Sequence, residues 1–400
     1  MIRMQFISMA MIAMTNAGEL PTVPIIFPLT GITDYSITAK ETSKETDFLG
    51  QCCGTNVVFG EKDVSGSMSG VLTSSTAAIV MQHMFGEFDS NVDATADAWA
   101  TATVVAYGDI VNHTDGTHSL VCTKSGTTGA TEPTIVGLNK KIVDGTANWS
   151  AVSLQKKGIT NTSKKPRNAA IELKFKRDDG SFMYVRYENV TFSKTDIAAV
   201  LGDIDMKWNV DVIGARVTDA LDDGFVALAD MANAKTIVPF DDYYMNDEVT
   251  GGSCAYRDGV LVDDFEEMSF SIERKVEKSK AIAKLVDGLF VARPPEVSKD
   301  IKAKGKFMIY ANDSDYENFK SHTPFDATVK LKNNLASEVT ATFKDVVPGF
   351  SDISIEDCMD SKLESELFVT GGCANVAPVT IEVIYPQLVD TNGVVVNYFA

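Results

Sequence analysis

The sequence has few of the residues that build metal centres and disulfide frameworks. It contains 6 cysteines and 4 histidines in 400 residues. No two cysteines stand in Cys-x-x-Cys spacing, and the adjacent Cys52 and Cys53 suit neither a zinc site nor an ordinary disulfide. His113 and His118 lack a nearby cysteine or carboxylate at metal-ligand spacing. We therefore expect no metal ion and no other cofactor.

Signatures of common enzymes are also missing. The chain has no Gly-x-Ser-x-Gly string, no phosphate-binding Gly-x4-Gly-Lys-Ser loop and no His-Glu-x-x-His string. Asp203 with Asp205, or Glu266 with Glu267, would supply an acid–base pair. With 55 acidic residues, however, such pairs are expected on the solvated surface from composition alone. We expect the protein not to be an enzyme.

Basic residues are in deficit, at 36 Lys and Arg against 55 Asp and Glu, which gives a net charge of −19. A protein that binds duplex DNA presents a basic face, because neutralisation of phosphates supplies most of the affinity. The composition therefore argues against specific nucleic-acid binding.

Long apolar runs are absent as well. No segment reaches the length that spans a bilayer, so we expect no membrane insertion. The apolar segment 1–14 carries one arginine and no clear small-x-small cleavage site, unlike a secretory signal. We predict that segments 1–31, 54–63 and 389–400 supply strands or arms to neighbouring subunits, with 1–14 as an extended arm or first strand.

Strand signal, in contrast, is abundant. Polar and apolar residues alternate over 64–72, 171–187, 268–276, 304–310, 328–331, 379–384 and 394–398. The string Asp178-Asp179-Gly180 between two alternating runs predicts a hairpin. The predicted fold class is mainly β, with sheets that bury one face and expose the other to solvent.

A faint internal repeat divides the chain. When the sequence is aligned with itself at an offset of 202 residues (the longer shift), Ser67 aligns with Ser269. At an offset of 156 residues (the shorter shift), Val190 aligns with Val346. The shifts differ by 46 residues, about the length of the Gly- and Thr-rich stretch 106–152. Duplication of one unit, followed by insertion of a module into the first copy, is the simplest account.

Each copy offers one helix directly after its serine-rich strand. In the first copy, Ser74 or Ser75 is the expected N-cap and Gly86 the expected stop. In the second copy, an apolar stripe from Ile282 to Leu289 predicts the helix, with Gly288 in the left-handed closing conformation.

The two matched strands share a polar face. It consists of Ser65, Ser67, Ser69, Glu267, Ser269, Ser271 and Glu273.

The string Asp63-Val-Ser65-Gly-Ser67 resembles the cation-binding Asp-x-Ser-x-Ser motif of von Willebrand type A domains. In that family a buried apolar strand runs directly into the aspartate, whereas Gly60-Glu61-Lys62 intervenes here. We therefore interpret Ser65 and Ser67 as part of the polar face of a strand rather than as cation ligands. A metal-dependent adhesion domain is kept as a functional hypothesis, after the two that are given below.

The stretch 106–152 resembles a small module of phage tail and tail-fibre proteins in its strings SGTTGATEPT and VDGTANW. Ile135 stands where that module usually has a tryptophan. Trp149 is predicted to close the core of a small sheet, and its alternative role is a platform on which a glycan stacks.

The segments VSGSMSGVLTSSTAAIVMQHMFG and MSFSIERKVEKSKAIAKLVDGLF, one from each copy, resemble the strand–helix core of the tail tube proteins of long-tailed bacteriophages. The resemblance implies two tandem β-sandwich or barrel domains, each with a flanking α-helix, plus a small β insertion module. The first domain would comprise 1–105 and 153–222, the module 106–152, and the second domain 235–400.

The resemblance also implies a structural role in the virion. Subunits of that family form rings that stack into a tube, and a doubled unit would close a pseudo-six-fold ring as a homotrimer. DNA passes through without specific binding, because an acidic lumen repels phosphate, and the seven-residue polar face would line the lumen or a ring contact. Tape-measure and tail-terminator proteins are the implied partners, and assembly takes place in the host cytoplasm. The alternative function is a surface or secreted adhesin that binds carbohydrate through the inserted module.

Overall fold

The computed structural model shows a protein built mainly of β-strands, which confirms the predicted fold class. The structure describes residues 4–15, 18–46, 56–86, 89–91, 97–137, 140–161, 166–200, 207–222, 224–239, 254–262, 265–277, 284–286, 289–291, 295–310, 317, 320–332, 337–348, 354–356, 360–369 and 379–399.

The strands of the N-terminal half are β1 Met4–Ala13, β2 Ile25–Leu29, β3 Ile32–Tyr35, β4 Thr38–Thr46, β5 Asn56–Val71, β6 Asp89–Asn91, β7 Asp97–Ala98, β8 Val104–Val105, β9 Ile110–Asn112, β10 His118–Lys124, β11 Gly126–Thr127, β12 Lys141–Asp144, β13 Ala147–Ser153, β14 Gln155–Asn161, β15 Ala169–Arg177, β16 Phe182–Val200, β17 Lys207–Gly214 and β18 Arg216–Asp219. Those of the C-terminal half are β19 Lys235–Thr236, β20 Cys254–Arg257, β21 Val260–Val262, β22 Phe265–Glu277, β23 Lys284–Val286, β24 Leu289–Val291, β25 Glu296–Tyr310, β26 Phe325–Lys332, β27 Glu338–Pro348, β28 Ser354–Glu356, β29 Asp360–Val369 and β30 Val379–Pro386. The helices are α1 Ser74–Phe85 and a 3-10 turn, Leu228–Asp230, and Glu317 and Lys320 are also helical.

One continuous sheet system carries both halves of the chain. It joins 21 strands, while β7, β9, β10, β12 and β13 form a separate five-stranded sheet. Apolar side chains from both halves, including Met11, Phe192, Phe270 and Val346, share one buried core. The five-stranded sheet has its own smaller core around Trp149.

Helix α1 is buried on every side and packs against β14, β16 and β30. Its N-cap is Thr73, one residue before the predicted serines, and the Thr73 hydroxyl oxygen accepts a hydrogen bond from the Thr76 N–H at 3.2 Å. The helix ends at Gly86 as predicted, where a φ of 98° favours a residue without Cβ.

His83, in the last turn of α1, links the helix to the C-terminal segment. Its Nδ1–H donates to the Arg167 carbonyl at 2.8 Å, so Nε2 is left to accept from the Tyr398 hydroxyl at 3.0 Å. The ring has no exposed surface, and burial lowers the pKa of His83 from 6.5 to about 4. The neutral imidazole is therefore the form that the fold requires.

This arrangement predicts acid sensitivity. Between pH 6.5 and 4 the unfolded chain binds a proton at His83 that the folded chain does not, so stability falls as the pH decreases through that window. The loss should be on the order of 3 kcal/mol. About 2 kcal/mol of this loss should be present by pH 5, and urea unfolding at pH 7.5 and pH 5 measures it. In His83→Gln the pH dependence should shrink. An unchanged dependence in His83→Gln would contradict this account.

The pairing of β15 with β16 recurs between β26 and β27. Ala169 pairs with Val190, and Phe325 pairs with Val346. The shorter shift carries both residues of the first pair onto the second. The register breaks directly after this pair in both hairpins, and every further pair is related by the same shift. The shorter shift found in the sequence therefore relates two strands with equivalent pairing.

The backbone at this break is equivalent as well. Asn189 and Asp345, which the shorter shift also relates, have positive φ angles of 53° and 50°. Asn and Asp tolerate this left-handed conformation better than most residues. Each hairpin thus contains a bulge of the same type at the same position.

The strands before these hairpins also correspond. Ile32 pairs with Gly70, and Phe265 pairs with Ile309. Both pairings break register directly after these residues. By pairing, β3 and β4 together correspond to β22, and β5 corresponds to β25.

The remaining strands complete the pattern. β20 pairs with β21 on one side and β26 on the other, as β1 pairs with β2 and β15. β29 and β30 follow β27 as β17 and β18 follow β16. We name the two sets the first unit (β1–β5, α1 and β15–β18) and the second unit (β20–β22 and β25–β30).

The pairing corrects the longer shift, which aligned β5 with β22. Two strands that each have one solvent-exposed face can share an alternating pattern of serine without being equivalent. The strands to which each one is hydrogen-bonded show which strands of the two halves correspond. With β5 matched to β25, the chain from Val71 to Ala169 corresponds to the much shorter connection from Tyr310 to Phe325. The part added to the first unit is therefore larger than the stretch 106–152 alone.

The second predicted helix is also wrong. The described residues of this stripe lie in two short paired strands, β23 and β24, with Val286 opposite Leu289. Asp287-Gly288 between two apolar triplets is a hairpin signal, and it outweighs the helical spacing. Helical residues occur instead at Glu317 and Lys320, after β25, as α1 follows β5. The hairpin predicted at Asp178-Asp179-Gly180 is confirmed.

The predicted arms lie within the chain's own fold. β1 pairs with β15 on one side and β2 on the other, and Met11 and Ile12 have no exposed surface. Residues 56–63 belong to β5 and pair with β4. Tyr398 and Phe399 pack beside His83 in the core. In β1 and at Tyr398 and Phe399, the apolar side chains are buried within this chain.

Candidate assembly surface

The sheet that joins the two units has one polar face and one apolar face. Its strands run in the order β5, β17, β16, β22 and β25. Alternation within each strand sends every second side chain to each face. The apolar face carries Met68, Val210, Ile197, Phe270 and Ala303, all of them buried.

Polar residues follow one another across the opposite face. One row is Ser67, Asp211, Lys194, Glu273 and Lys302, in which each residue pairs with the next.

The neighbouring row is Ser69, Asn209, Asp196, Ser271 and Lys304. The structure thus brings the predicted serines of β5 and β22 onto one face, separated by two strands. Ser65 is exposed on β5. Glu267 pairs with Val200 on the backbone, and its side chain lies outside the described residues.

Sequence comparison missed the middle of this face. Lys194 and Asp196 on β16, and Asn209 and Asp211 on β17, fill the space between the two serine strands. The alternation of β17, Lys-Trp-Asn-Val-Asp-Val, is visible in the sequence, but its place between β5 and β16 is set by pairing.

The charges of this face alternate in sign. Lys194 Nζ lies 2.7 Å from Asp196 Oδ2. The hydrogen bond to Asp196, with the nearby charges of Asp211 and Glu273, raises the pKa of Lys194. The described part of the face is therefore mixed in charge, and the excess of acidic residues lies elsewhere.

The junction between the units is a stretch of antiparallel pairing. It runs from Lys194 opposite Glu273 to Val200 opposite Glu267. Arg274 lies 5.6 Å from the ring centre of Phe85 in α1, which adds a packing contact between the units. The backbone of β14, next to the inserted sheet, pairs with β30 of the second unit.

The motif Asp63-Val-Ser65-Gly-Ser67 forms part of β5, paired with β4 and β17. The Oγ of Ser67 lies 3.0 Å from the Oγ of Ser36. The strand interpretation of this string is thereby confirmed. Asp203 and Asp205 lie outside the described residues, as do the side chains of Glu266 and Glu267.

The inserted module begins earlier than predicted. Two strands that precede residue 106 belong to it: β7 pairs with β9, and β8 pairs with β11. Trp99, next to β7, also packs against the core of the module. The module's separate sheet ends at Ser153 with β13. The composition of the sequence indicated the Gly- and Thr-rich part of the module, but it did not indicate the short edge strands that precede that part.

Trp149 lies at the centre of the module with no exposed surface. Its Nε1–H donates to Asp144 Oδ2 at 3.0 Å, and the Nε1–H of Trp99 donates to the same oxygen at 2.9 Å. The Gly129 N–H donates to Asp144 Oδ1 at 2.6 Å. Trp149 is therefore a core residue, and a glycan-stacking role for it has no support in the structure.

The buried Asp144 carboxylate predicts a sharp loss of stability on substitution. Asp144→Ala leaves three donors without their acceptor, at a cost of about 1–3 kcal/mol for each one that stays buried. Thermal unfolding followed by tryptophan fluorescence should show a lower midpoint, with new proteolytic cleavage in 97–153. Asp97→Ala, an exposed aspartate of the same module, serves as the control. Equal midpoints for the two variants would contradict the proposed role.

The sequence prediction for His113 and His118 needs correction. Asp115 lies between them and contacts both, at 3.1 Å from His113 Nδ1 and 2.7 Å from His118 Nδ1. Asp115 also accepts from the backbone N–H groups of Thr117 and His118, which shapes the turn before β10. Across the described ranges, no group of three or more His, Cys, Asp or Glu residues has a metal-binding arrangement.

Comparison with known protein families gave no match, and neither did comparison with curated proteins. In the part of the chain that the structure describes, no helix combines the length and apolar character needed to cross a membrane.

Proposed function

We propose that the chain is a structural subunit that assembles into rings, and that the rings stack into a virion tail tube. The observation that carries the proposal is the joining of two units with the same strand pairing, edge to edge, into one sheet. Equivalent units of this kind arise by duplication, and the bulges at Asn189 and Asp345 support that origin. A chain of this design already contains one contact between subunit-like units.

Such a contact is heterologous, because the edge that the first unit contributes differs from the edge that the second unit contributes. Heterologous contacts that repeat by rotation close into rings, whereas those that do not close extend into filaments. Three chains of two units each would give a pseudo-six-fold homotrimeric ring. Edge strands that continue into a neighbour also avoid the aggregation that open edges invite.

The net charge of −19 suits a conduit for DNA. Negative protein charge repels phosphate, which keeps DNA from binding as it passes. The polar face through Ser67, Lys194 and Glu273 is one candidate for the lumen or a ring contact, and because its described charges are mixed, the acidic excess that repels DNA would lie on other surfaces. The tape-measure and tail-terminator proteins would be partners at the tube ends, with assembly in the host cytoplasm.

Negative-stain microscopy of the purified protein and of virions tests this proposal. The expected result is stacked rings or tubes, with trimers or their multiples in analytical ultracentrifugation. Persistent monomers across protein concentration, salt and pH, together with absence from virions, would refute it.

A second function, carbohydrate binding by an adhesin, is favoured by one observation on the inserted module. A cleft of about 370 Å³ is lined by Trp99, Val104, Asp97 and Asp109, among others. Trp99 is half-buried, and a partly exposed indole beside carboxylates offers a sugar both an apolar ring and hydrogen-bond acceptors. This cleft, rather than Trp149, would hold the glycan.

A glycan array tests this second function. Val104, 81% exposed, lines the cleft, and Val104→Arg should abolish glycan binding by filling it. Val143, 68% exposed on β12, does not line the cleft, so Val143→Arg should bind as wild type does. Absence of binding by the wild-type protein would remove the adhesin function.

A further inference from the structure

The junction between the units shows which strand edges a second copy of the chain would use. β16 has two partners along its C-terminal part, β17 and β22. β22 likewise has two partners, β25 and β16. The junction is thus a sheet continued from one unit into the other.

The equivalent strands at the two ends of the chain each lack that partner among the described residues. β28, which corresponds to residues 198–200 of β16, pairs only with β29. β3 and β4, which correspond to β22, pair only with β5. The two edges therefore lack the pairing that the junction supplies inside the chain.

The surface at β3 and β4 is open. Asp34, Ser36, Thr38, Ala39 and Lys40 are exposed, so nothing in the described chain covers this edge.

We propose that β28 of one chain pairs antiparallel with β3 and the adjoining Ser36 of a second copy, continuing the sheet between chains as β16 and β22 continue it within one. This inference rests on the proposed self-assembly and specifies its interface. The occupant is a second copy because the chain itself contains the same contact between equivalent strands.

The junction fixes the register of the proposed contact. Ala198 pairs with Ser269, and Val200 pairs with Glu267. The shorter shift carries β16 onto β28, and the interval from Ile32 to Phe265 relates β3 to β22. Applied together, these two relations turn each residue pair of the β16–β22 junction into a predicted pair between β28 of one chain and the β3 edge of the second copy. The predicted pairs are Ser354 opposite Ser36, Ile355 opposite Tyr35, and Glu356 opposite Asp34.

The register also predicts an electrostatic effect. Glu356 and Asp34 have the same charge, and like charges directly opposite each other destabilise paired strands. At the internal junction the corresponding pair is Val200 and Glu267, which carries a single charge. The contact between chains should therefore be weaker than the one within the chain, and sensitive to the charge at position 356.

Cysteine cross-linking tests the register in the assembled full-length protein. Ser36→Cys combined with Ser354→Cys should give disulfide-linked dimers and higher multiples on oxidation, at least several-fold above either single variant. The single variants measure the background from the native cysteines. Ser36→Cys with Ile355→Cys shifts the pair by one residue and places the thiols on opposite faces, so it should stay at background.

Charge reversal tests the same contact without cross-linking. Glu356→Lys places a cation opposite Asp34 and should lower the protein concentration needed for assembly several-fold. Glu317→Lys makes the same charge change at an exposed helical position and should leave that concentration unchanged.

The outcomes separate the interface from the function. Tubes or rings that form without cross-linking at Ser36 and Ser354, and without response to Glu356→Lys, would overturn this interface and leave self-assembly standing. Cross-linking of the slipped pair at the level of the in-register pair would also overturn it. Failure of the wild-type protein to assemble at all would refute both proposals.

Discussion

The structure depends on the backbone pairing of β16 with β22, because that pairing makes one sheet out of two units. Its register is fixed by burial. Ile197, Phe270 and Ile272 face the core on adjacent strands, and a slip of β22 by one residue would send Phe270 and Ile272 to the solvent. The polar face, the shared core and the position of Arg274 over Phe85 all follow from this single alignment.

Sequence patterns correctly predicted the features that depend on residues close together in the chain. The hairpin at Asp178-Asp179-Gly180, the end of α1 at Gly86 and the buried Trp149 each depend on neighbouring residues or on one apolar ring. The shorter of the two shifts is also visible in the sequence, because Val190, Asp196 and Ile197 recur as Val346, Asp352 and Ile353. The bulge next to Val190 and Val346 is not visible in the same way, because its left-handed position holds Asn189 in one strand and Asp345 in the other.

Strand identity, in contrast, is not local. β5 and β22 look alike in sequence because each alternates serine with apolar residues, yet their partners show that β5 corresponds to β25. The same limit applies to the polar face, of which the sequence supplied the two serine strands. Asp211 and Lys194 complete it only because β17 and β16 lie between those strands, and that order is a property of the folded chain.

The two units differ mainly in the connections between their strands. The β23–β24 hairpin lies in the connection of β22 to β25, and the inserted module lies between α1 and β15. Connections at such points can differ in length without disturbing strand pairing, so the first unit tolerates the much longer one. The longer connection also has a structural role. Because β14 pairs with β30, and His83 bonds Tyr398 beyond it, the first unit holds the second at two further places. The orientation of the units is therefore set by contacts on both sides of the junction, which the proposed ring would need in order to repeat one angle between units.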